Sequence, residues 1–148
     1  MSLLMVAKDK DSSKWYIVSQ GCVSTDYGLK RYESQRRYRI QKFKHFLIAF
    51  NCSGYTANKV FEEIDFDKIS LPISKGVLYR EFYLKLIEIL IKTGDVVINK
   101  DTQELEDFKA DFIFITKDEV FDIFGKRIYH PSDFCASGDD SIAFALYE

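Results

Sequence analysis

Two short segments combine serine and glycine at spacings that could support chemistry. Near the end of the chain, Ser137, Gly138, Asp139 and Asp140 follow one another. Ser137 or Asp139 can cap a helix, and carboxylates are favoured at the positive end of a helix dipole. The two aspartates could also bind a cation, although helix capping explains them more simply. This segment therefore predicts the start of a helix over the apolar residues that follow.

The second segment is Asn51-Cys52-Ser53-Gly54. It lacks the first glycine of the Gly-x-Ser-x-Gly nucleophile elbow, which makes an esterase-type serine improbable on sequence grounds. A glycine-rich phosphate loop with a following Lys-Ser or Lys-Thr pair is also absent from the sequence. The segment predicts a turn that leads into a helix.

The cysteines and histidines are scattered along the chain, at Cys22, Cys52, Cys135, His45 and His130. They lack the spacing of metal ligands, and no histidine lies beside Cys52 or Cys135 in the sequence to activate a thiol. We therefore expect buried thiols in a reducing compartment, with no metal and no cofactor.

The composition limits the classes of protein to which this sequence can belong. A chain of 148 residues with 47% hydrophobic and 16% aromatic residues can bury one core, so residues 1–148 are expected to form a single domain. The net charge of -2 argues against a general nucleic-acid or membrane binder. No apolar run approaches the roughly 20 residues of a membrane span. We expect a cytoplasmic protein.

The segment from Lys30 to Lys44 is the most basic part of the sequence. From Arg37 onward, polar and apolar residues alternate, which predicts a strand with one wet face. Two interpretations follow: a nucleic-acid groove with aromatic residues among the cations, or a solvated strand face balanced by acids elsewhere. We favour the solvated face.

Strands are predicted at both ends of the chain and helices in the middle. Leu3 to Ala7 and Trp15 to Val18 predict a hairpin, and Phe46 to Phe50 predicts a buried strand. Tyr55 to Ile64 and Lys75 to Thr93 carry apolar stripes at helical spacing, and Gly94 ends the second helix. The remaining predicted strands are Val96 to Ile98, Phe112 to Ile115, Val120 to Phe124 and Arg127 to Tyr129. Strands segregated from helices in this way predict an α+β fold.

The last hairpin and the two turns together resemble proteasome β-subunits and HslV, which are N-terminal-nucleophile (Ntn) hydrolases. Ala136-Ser137-Gly138-Asp139 stands where those proteins have a Gly-Ser-Gly-Gly turn before a helix. Ser53 and Gly54 lead into Tyr55-Thr56-Ala57-Asn58, which is similar to their turn and helix start after a buried strand. The resemblance implies a four-layer α/β/β/α sandwich, with two stacked antiparallel sheets between helices. Because family members continue with a further helix and strand, one outer layer is expected to be thin or supplied by a partner.

The resemblance also implies a set of site residues. The family attacks an amide with the hydroxyl of its first residue and uses that residue's α-amine as base; here the position falls on Ser2, once Met1 is removed. The family's acid falls on Gln20, which cannot ionise, and its lysine falls on Arg39. Ser137 retains the family's serine, and Ser53, Gly54 and Gly138 occupy the turns. Three of the four catalytic positions thus depart from the pattern.

These matches and departures predict a divergent HslV-like protein, either a peptidase with degenerate catalytic residues or an inactive one. A non-catalytic assembly or interaction subunit on the same fold is the first alternative. A nucleic-acid-associated protein using residues 30–44 is the second. The resemblance further implies a homo-oligomer, and an ATP-dependent unfoldase as a possible protein partner.

Overall fold

Two stacked antiparallel sheets, a separate two-stranded hairpin and one layer of helices make up the described part of the protein. The computed structural model describes residues 4–9, 11, 15–19, 23–27, 30–34, 40–106, 108, 110–132 and 134–137. The strands are β1 (Leu4–Lys8), β2 (Trp15–Ser19), β3 (Val23–Tyr27), β4 (Lys30–Ser34), β5 (Ile40–Lys42), β6 (Leu47–Asn51), β7 (Asp111–Ile115), β8 (Val120–Phe124), β9 (Arg127–Tyr129) and β10 (Phe134–Ser137).

The larger sheet has five strands in the order β5-β6-β7-β8-β9, and the smaller has three in the order β10-β1-β2. All of their pairings are antiparallel, and β3 and β4 form a separate antiparallel hairpin. The α+β class with two stacked antiparallel sheets is therefore confirmed. A second helical layer would fall on residues 138–148, which lie outside the described residues.

The two faces of the larger sheet bury different side chains, because successive residues of a strand point to opposite faces. Ile113 and Ile115 of β7 face the smaller sheet and pack in one cluster with Leu4 and Val6 of β1. Phe112 and Phe114, which alternate with them, face the helices. A strand buried on both faces needs an uninterrupted apolar run, which is what β7 has.

The helical side of the core is built around Phe82, whose side chain is fully buried. Its ring lies 5.4 Å from that of Phe112 and 4.9 Å from that of Phe114, in edge-to-face geometry in both cases. Phe66 adds a third ring at 5.7 Å. Edge-to-face pairs of this kind add stability beyond the burial of their area.

The helices are α1 (Gly54–Glu63), α2 (Lys75–Leu78) and α3 (Leu84–Thr93), and α2 and α3 are joined through the π-helical residues Tyr79–Tyr83. The predicted helices over 55–64 and 75–93 are thus confirmed, the second with a π segment inside it. Gly94 ends α3 in the left-handed region, at φ 82°. Gly125, at φ 56°, turns β8 into β9, and a Cβ at this position would lie 3.1 Å from the backbone oxygen of Phe108.

Two predictions are corrected, and one element was missed. Ala136 and Ser137 belong to strand β10, which pairs with β1, rather than to a turn before a helix. Val96 to Ile98 is not a strand but makes a single bridge, from Ile98 to Leu105, because Asn99 folds the chain into a tight turn: its side-chain oxygen accepts the N–H of Asp101 at 2.9 Å. The hairpin of β3 and β4 was not predicted.

No helix among the described residues is long and apolar enough to span a bilayer.

Candidate functional site

The first turn of α1 contains two residues predicted from the sequence, Ser53 and Gly54. Ser53 is the N-cap: its Oγ accepts the N–H of Thr56 at 3.2 Å, and its carbonyl oxygen accepts the N–H of Ala57 at 2.9 Å. The N–H groups of Gly54 and Tyr55 belong to the first turn, where helix geometry provides no intrahelical acceptor. The first turn of α1 has no acidic residue. The turn therefore presents N–H donors and partial positive charge.

A chain of side-chain hydrogen bonds links this turn to the residues at the end of α3. Thr56 is 2% exposed, and its hydroxyl donates to Oδ2 of Asp95, which lies in the turn after α3. Ser53 Oγ donates to Thr56 Oγ1 at 2.7 Å, and Thr93 Oγ1 donates to the same Asp95 oxygen at 2.5 Å. A cavity of about 150 Å³ adjoins these groups and is also lined by Cys52. Asp95 thus connects the end of α3 to the start of α1.

The start of β1 lies at the same end of the sheet stack as the first turn of α1. Strand β6 ends at Asn51, two residues before Ser53, and Asn51 pairs with Asp111 at the start of β7. In the other sheet, Cys135 pairs with Val6 and lies close enough to Asp111 for that carboxylate to influence its thiol. The start of β1 and the end of β6 therefore border the space between the sheets at this end. The end of β1 and the start of β6 border it at the opposite end.

Two buried carboxylates at this end were missed from the sequence. Asp111 is 1% exposed and Asp122 is 8% exposed. Asp122 pairs with Ile113, two residues along from Asp111, so strand alternation places both aspartates on the face that meets the smaller sheet. The available signal was their phase in strands that are otherwise apolar: Asp111 alternates with Ile113 and Ile115 on one face of β7, and Asp122 shares a face of β8 with Val120.

The pKa of the Cys135 thiol reflects its burial and the two nearby aspartates. Burial raises its pKa well above the usual value, and the negative charges of Asp122 and then Asp111 raise it further. A thiol held protonated in this way is a poor nucleophile, because the thiolate is the reactive form. The structure therefore argues against Cys135 as a catalytic cysteine.

The predicted site residues are placed only in part. Ser53 and Gly54 form the α1 turn, and Ser137, the last residue of β10, pairs through its backbone with Leu4. This register brings Ser137 to the end of the stack where β1 begins. Ser2, Gln20, Arg39 and Gly138 lie outside the described residues. Among the residues that the structure describes, no three His, Cys, Asp or Glu side chains are grouped as metal ligands would be.

Comparison with known proteins bears on the fold. No family model matches the sequence, and no curated protein matches it. Among solved structures, BPH of Thiobacillus denitrificans in complex with epoxomicin is similar, with a TM-score of 0.66 and 14% identity over 99% of this chain and 79% of BPH. The chain has a proteasome-like fold of the HslV type. Eukaryotic HslV from Trypanosoma brucei is also similar, with a TM-score of 0.51 and 16% identity over 99% of this chain and 79% of that one.

At these identities the HslV-type fold is established and the chemistry has to be argued from the residues. The fold agrees with the resemblance found in the turn and helix start at Ser53 and Gly54, whereas the segment at Ser137 is a strand. The end of the stack that holds the α1 turn, the start of β1 and the two buried aspartates is the candidate active site.

Proposed function

We propose that this protein is a divergent HslV-like hydrolase, a single domain over residues 1–148 that acts on amide bonds through Ser2 once Met1 is removed. One observation carries the proposal: the start of β1, the donor-bearing first turn of α1 and the buried carboxylate of Asp111 share one end of the sheet stack, and Asp122 lies two residues further along the same buried face. Ser2 precedes Leu4, the first residue of β1, by two positions in the sequence.

The reaction follows from the chemistry of these groups. The α-amine of Ser2 takes the hydroxyl proton as the oxygen attacks the amide carbonyl, and the N–H groups of Gly54 and Tyr55 are suited to bind the oxyanion. The amine then protonates the leaving amine, which leaves an ester on Ser2. Water hydrolyses that ester, and the free hydroxyl and amine are restored. An α-amine suits this role because its ordinary pKa, about 7.7–8.0, lies near working pH.

The buried aspartates supply negative charge that Gln20 cannot. In proteasome β-subunits and HslV, an acid balances the charge of a lysine. In this sequence the corresponding positions hold Gln20 and Arg39. Asp111 and Asp122 lie between the sheets at the same end, and a buried carboxylate favours a nearby cation strongly. We propose that the two aspartates take the place of the missing acid.

A non-catalytic assembly subunit is the second candidate, and the surface of the long helix favours it. Tyr79, Leu84 and Ile91 are 50%, 45% and 40% exposed. Leu84 and Ile91 are seven residues apart and therefore lie on one face of α3, and exposed apolar side chains on one face can form an interaction site. This candidate predicts a homo-oligomer. The scattered cysteines indicate a reducing compartment, which we take to be the cytoplasm. An ATP-dependent unfoldase is a further possible partner.

The deciding experiment uses protein that begins at Ser2 and compares it with protein that keeps Met1. Epoxomicin is the probe, since the BPH structure contains it. We expect one equivalent of adduct, mapped to Ser2, in the Met1-free protein alone. The Met1-bearing protein and Met1-free protein carrying Ser2→Ala should stay unlabelled, because the first has no free amine at Ser2 and the second has no hydroxyl.

Absence of any adduct on the Met1-free protein, together with no turnover of fluorogenic peptides, would overturn the hydrolase proposal. In that case sedimentation tests the second candidate: a species larger than the 17.3 kDa chain at micromolar concentration would support an assembly subunit. A monomer at all concentrations would count against both.

A further inference from the structure

A cleft opens between the two sheets at the end opposite the candidate active site. It has a volume of about 480 Å³, which is in the range of small-ligand sites. Its floor is apolar and is formed by Ile17 of β2, Phe46, Leu47 of β6 and Ile115 of β7. Because it lies between the far ends of these strands, it shares no residue with the α1 turn or with Asp111 and Asp122.

The rim of the cleft is positively charged. Lys42, Lys44 and Lys117 line it and are exposed, and among the described lining residues there is no carboxylate. Residues 30–44 have seven Lys or Arg and one Glu, and the cleft receives the end of this segment, whereas the whole chain has a net charge of -2. The positive charge is therefore a local property of this surface and selects an anionic ligand.

Aromatic rings lie beside these cations. Trp15 and Phe43 are half-buried and line the cleft. Lys8 lies over the Trp15 ring, 6.0 Å from its centre. Phe43 is held from behind by Phe66, whose ring centre is 4.8 Å away. Partly exposed rings next to lysines form a surface on which a flat, neutral ring can stack while the lysines contact anionic groups attached to it.

The segment that carries the rim is held in one conformation. The N–H of Phe43 donates to the carbonyl oxygen of Phe46 at 2.9 Å, which closes the turn between β5 and β6. The N–H of Lys44 donates to Oδ1 of Asp67 at 3.3 Å. Lys42 and Lys44 are therefore presented by an ordered turn, which reduces the entropy lost on binding.

We propose that this cleft binds single-stranded nucleic acid. A base stacks against Trp15 and Phe43 inside the cleft, and the phosphates on either side of it contact Lys42, Lys44 and Lys117. An acidic peptide would satisfy the cations but offers no flat ring to the aromatic side chains, and base stacking on such rings tolerates any sequence. The inference is independent of the proposed hydrolase activity, because it concerns the other end of the sheet stack.

The single tryptophan of the chain reports on binding, because Trp15 lines the cleft. Titration with a ten-residue oligothymidylate should quench Trp15 fluorescence, and anisotropy of the labelled oligonucleotide should rise in parallel. With three phosphates neutralised, the slope of log K against log salt should be about -2, so that affinity falls roughly 20-fold between 50 and 200 mM salt.

Matched variants separate the contributions. Lys42→Gln should make the salt slope shallower by about 0.7, whereas Lys92→Gln, at an exposed position on α3, should leave it unchanged. Phe43→Leu removes the ring while keeping an apolar side chain, and should weaken binding about tenfold or more. Equal melting temperatures for Lys42→Gln and the unaltered protein will show that the change lies in binding.

Two outcomes would overturn the proposal. One is the absence, at 50 mM salt, of Trp15 quenching with a 100-fold excess of oligonucleotide together with the absence of any anisotropy change with a 100-fold excess of protein. The other is equal affinity for oligothymidylate and either polyglutamate or thymidine monophosphate, which would identify an acidic-peptide cleft or a free-nucleotide site instead. We expect oligothymidylate to bind at least tenfold more tightly than either.

Discussion

The hydrogen bond from Thr56 to Asp95 should stabilise the whole domain measurably. In Thr56→Val the side-chain shape is kept, but two hydrogen bonds are lost: the one donated to the Asp95 carboxylate and the one accepted from Ser53. A hydrogen bond to a charged group contributes about 1.5–3 kcal/mol and a neutral one about 0.5–1.5 kcal/mol. Because Ser53 and Asp95 are exposed and can form hydrogen bonds with water instead, the lower limit of each range applies. The two lost hydrogen bonds together should cost about 2 kcal/mol.

The introduced methyl group offsets part of this loss, since burying it contributes about 0.8 kcal/mol. We therefore expect Thr56→Val to lower the free energy of unfolding by about 1–2 kcal/mol, and the melting temperature by about 2–8 °C for a chain of this length. Urea denaturation followed by circular dichroism measures the first quantity. Thr102→Val, at an exposed turn position, is the matched control and should change stability by less than about 0.5 kcal/mol.

A double-mutant cycle tests the cause. In an Asp95→Ala background the acceptor is gone, so Thr56→Val should cost less than half of what it costs in the unaltered protein. A free energy of unfolding for Thr56→Val within about 0.5 kcal/mol of that of the unaltered protein would contradict this prediction. An equal loss of stability in both backgrounds would contradict it too, because the Asp95 carboxylate would then contribute nothing through Thr56.

Three further predictions concern the core, the glycines and the thiol. Phe82→Ala removes a fully buried ring and should cost about 3–5 kcal/mol in urea denaturation; a loss below about 2 kcal/mol would mean that the neighbouring rings close the cavity. Gly125→Ala should destabilise more than Gly94→Ala, because both positions have positive φ but only the first would place a Cβ against backbone; equal melting temperatures would contradict this. Cys135 should react with iodoacetamide at pH 8.5 at least tenfold more slowly than an exposed thiol introduced by Thr102→Cys, as mapped by mass spectrometry. Because its pKa is raised on folding, the stabilising contribution of the protonated thiol is complete below the unfolded value of about 8.5 and is lost as pH rises above it.

Most of the larger sheet and the helices could be predicted, because their apolar residues follow one clear period. Phe112 to Ile115 is a continuous apolar run, and Lys75 to Thr93 carries a helical stripe that the structure buries. Strands β3, β4 and β10 have no such pattern. Their conformation comes from backbone pairing, which single-sequence periodicity does not detect.

The candidate site could be predicted only where a local signal exists. Ser53 and Gly54 form a turn that the sequence shows directly. Asp95 lies 39 residues from Thr56, and nothing in either segment indicates that the two meet. Asp111 precedes one predicted strand and Asp122 lies inside another, and nothing in the sequence shows that the register of β7 with β8 places them on one buried face.

The pairing of β1 with β10 has a consequence for how the chain is made. Leu4 leaves the ribosome 133 residues before its partner Ser137, and β1 is the middle strand of the smaller sheet. Until β10 emerges, one edge of β1 has no partner strand from this sheet, and the larger sheet, complete from β5 to β9, has no finished cover for its inner apolar face. Exposed edges and apolar faces of this kind recruit other chains. The nascent protein is therefore most vulnerable to aggregation after β9 has been made and before β10 emerges, and a stall before residue 134 should expose it to chaperones more than a stall anywhere in the helical middle.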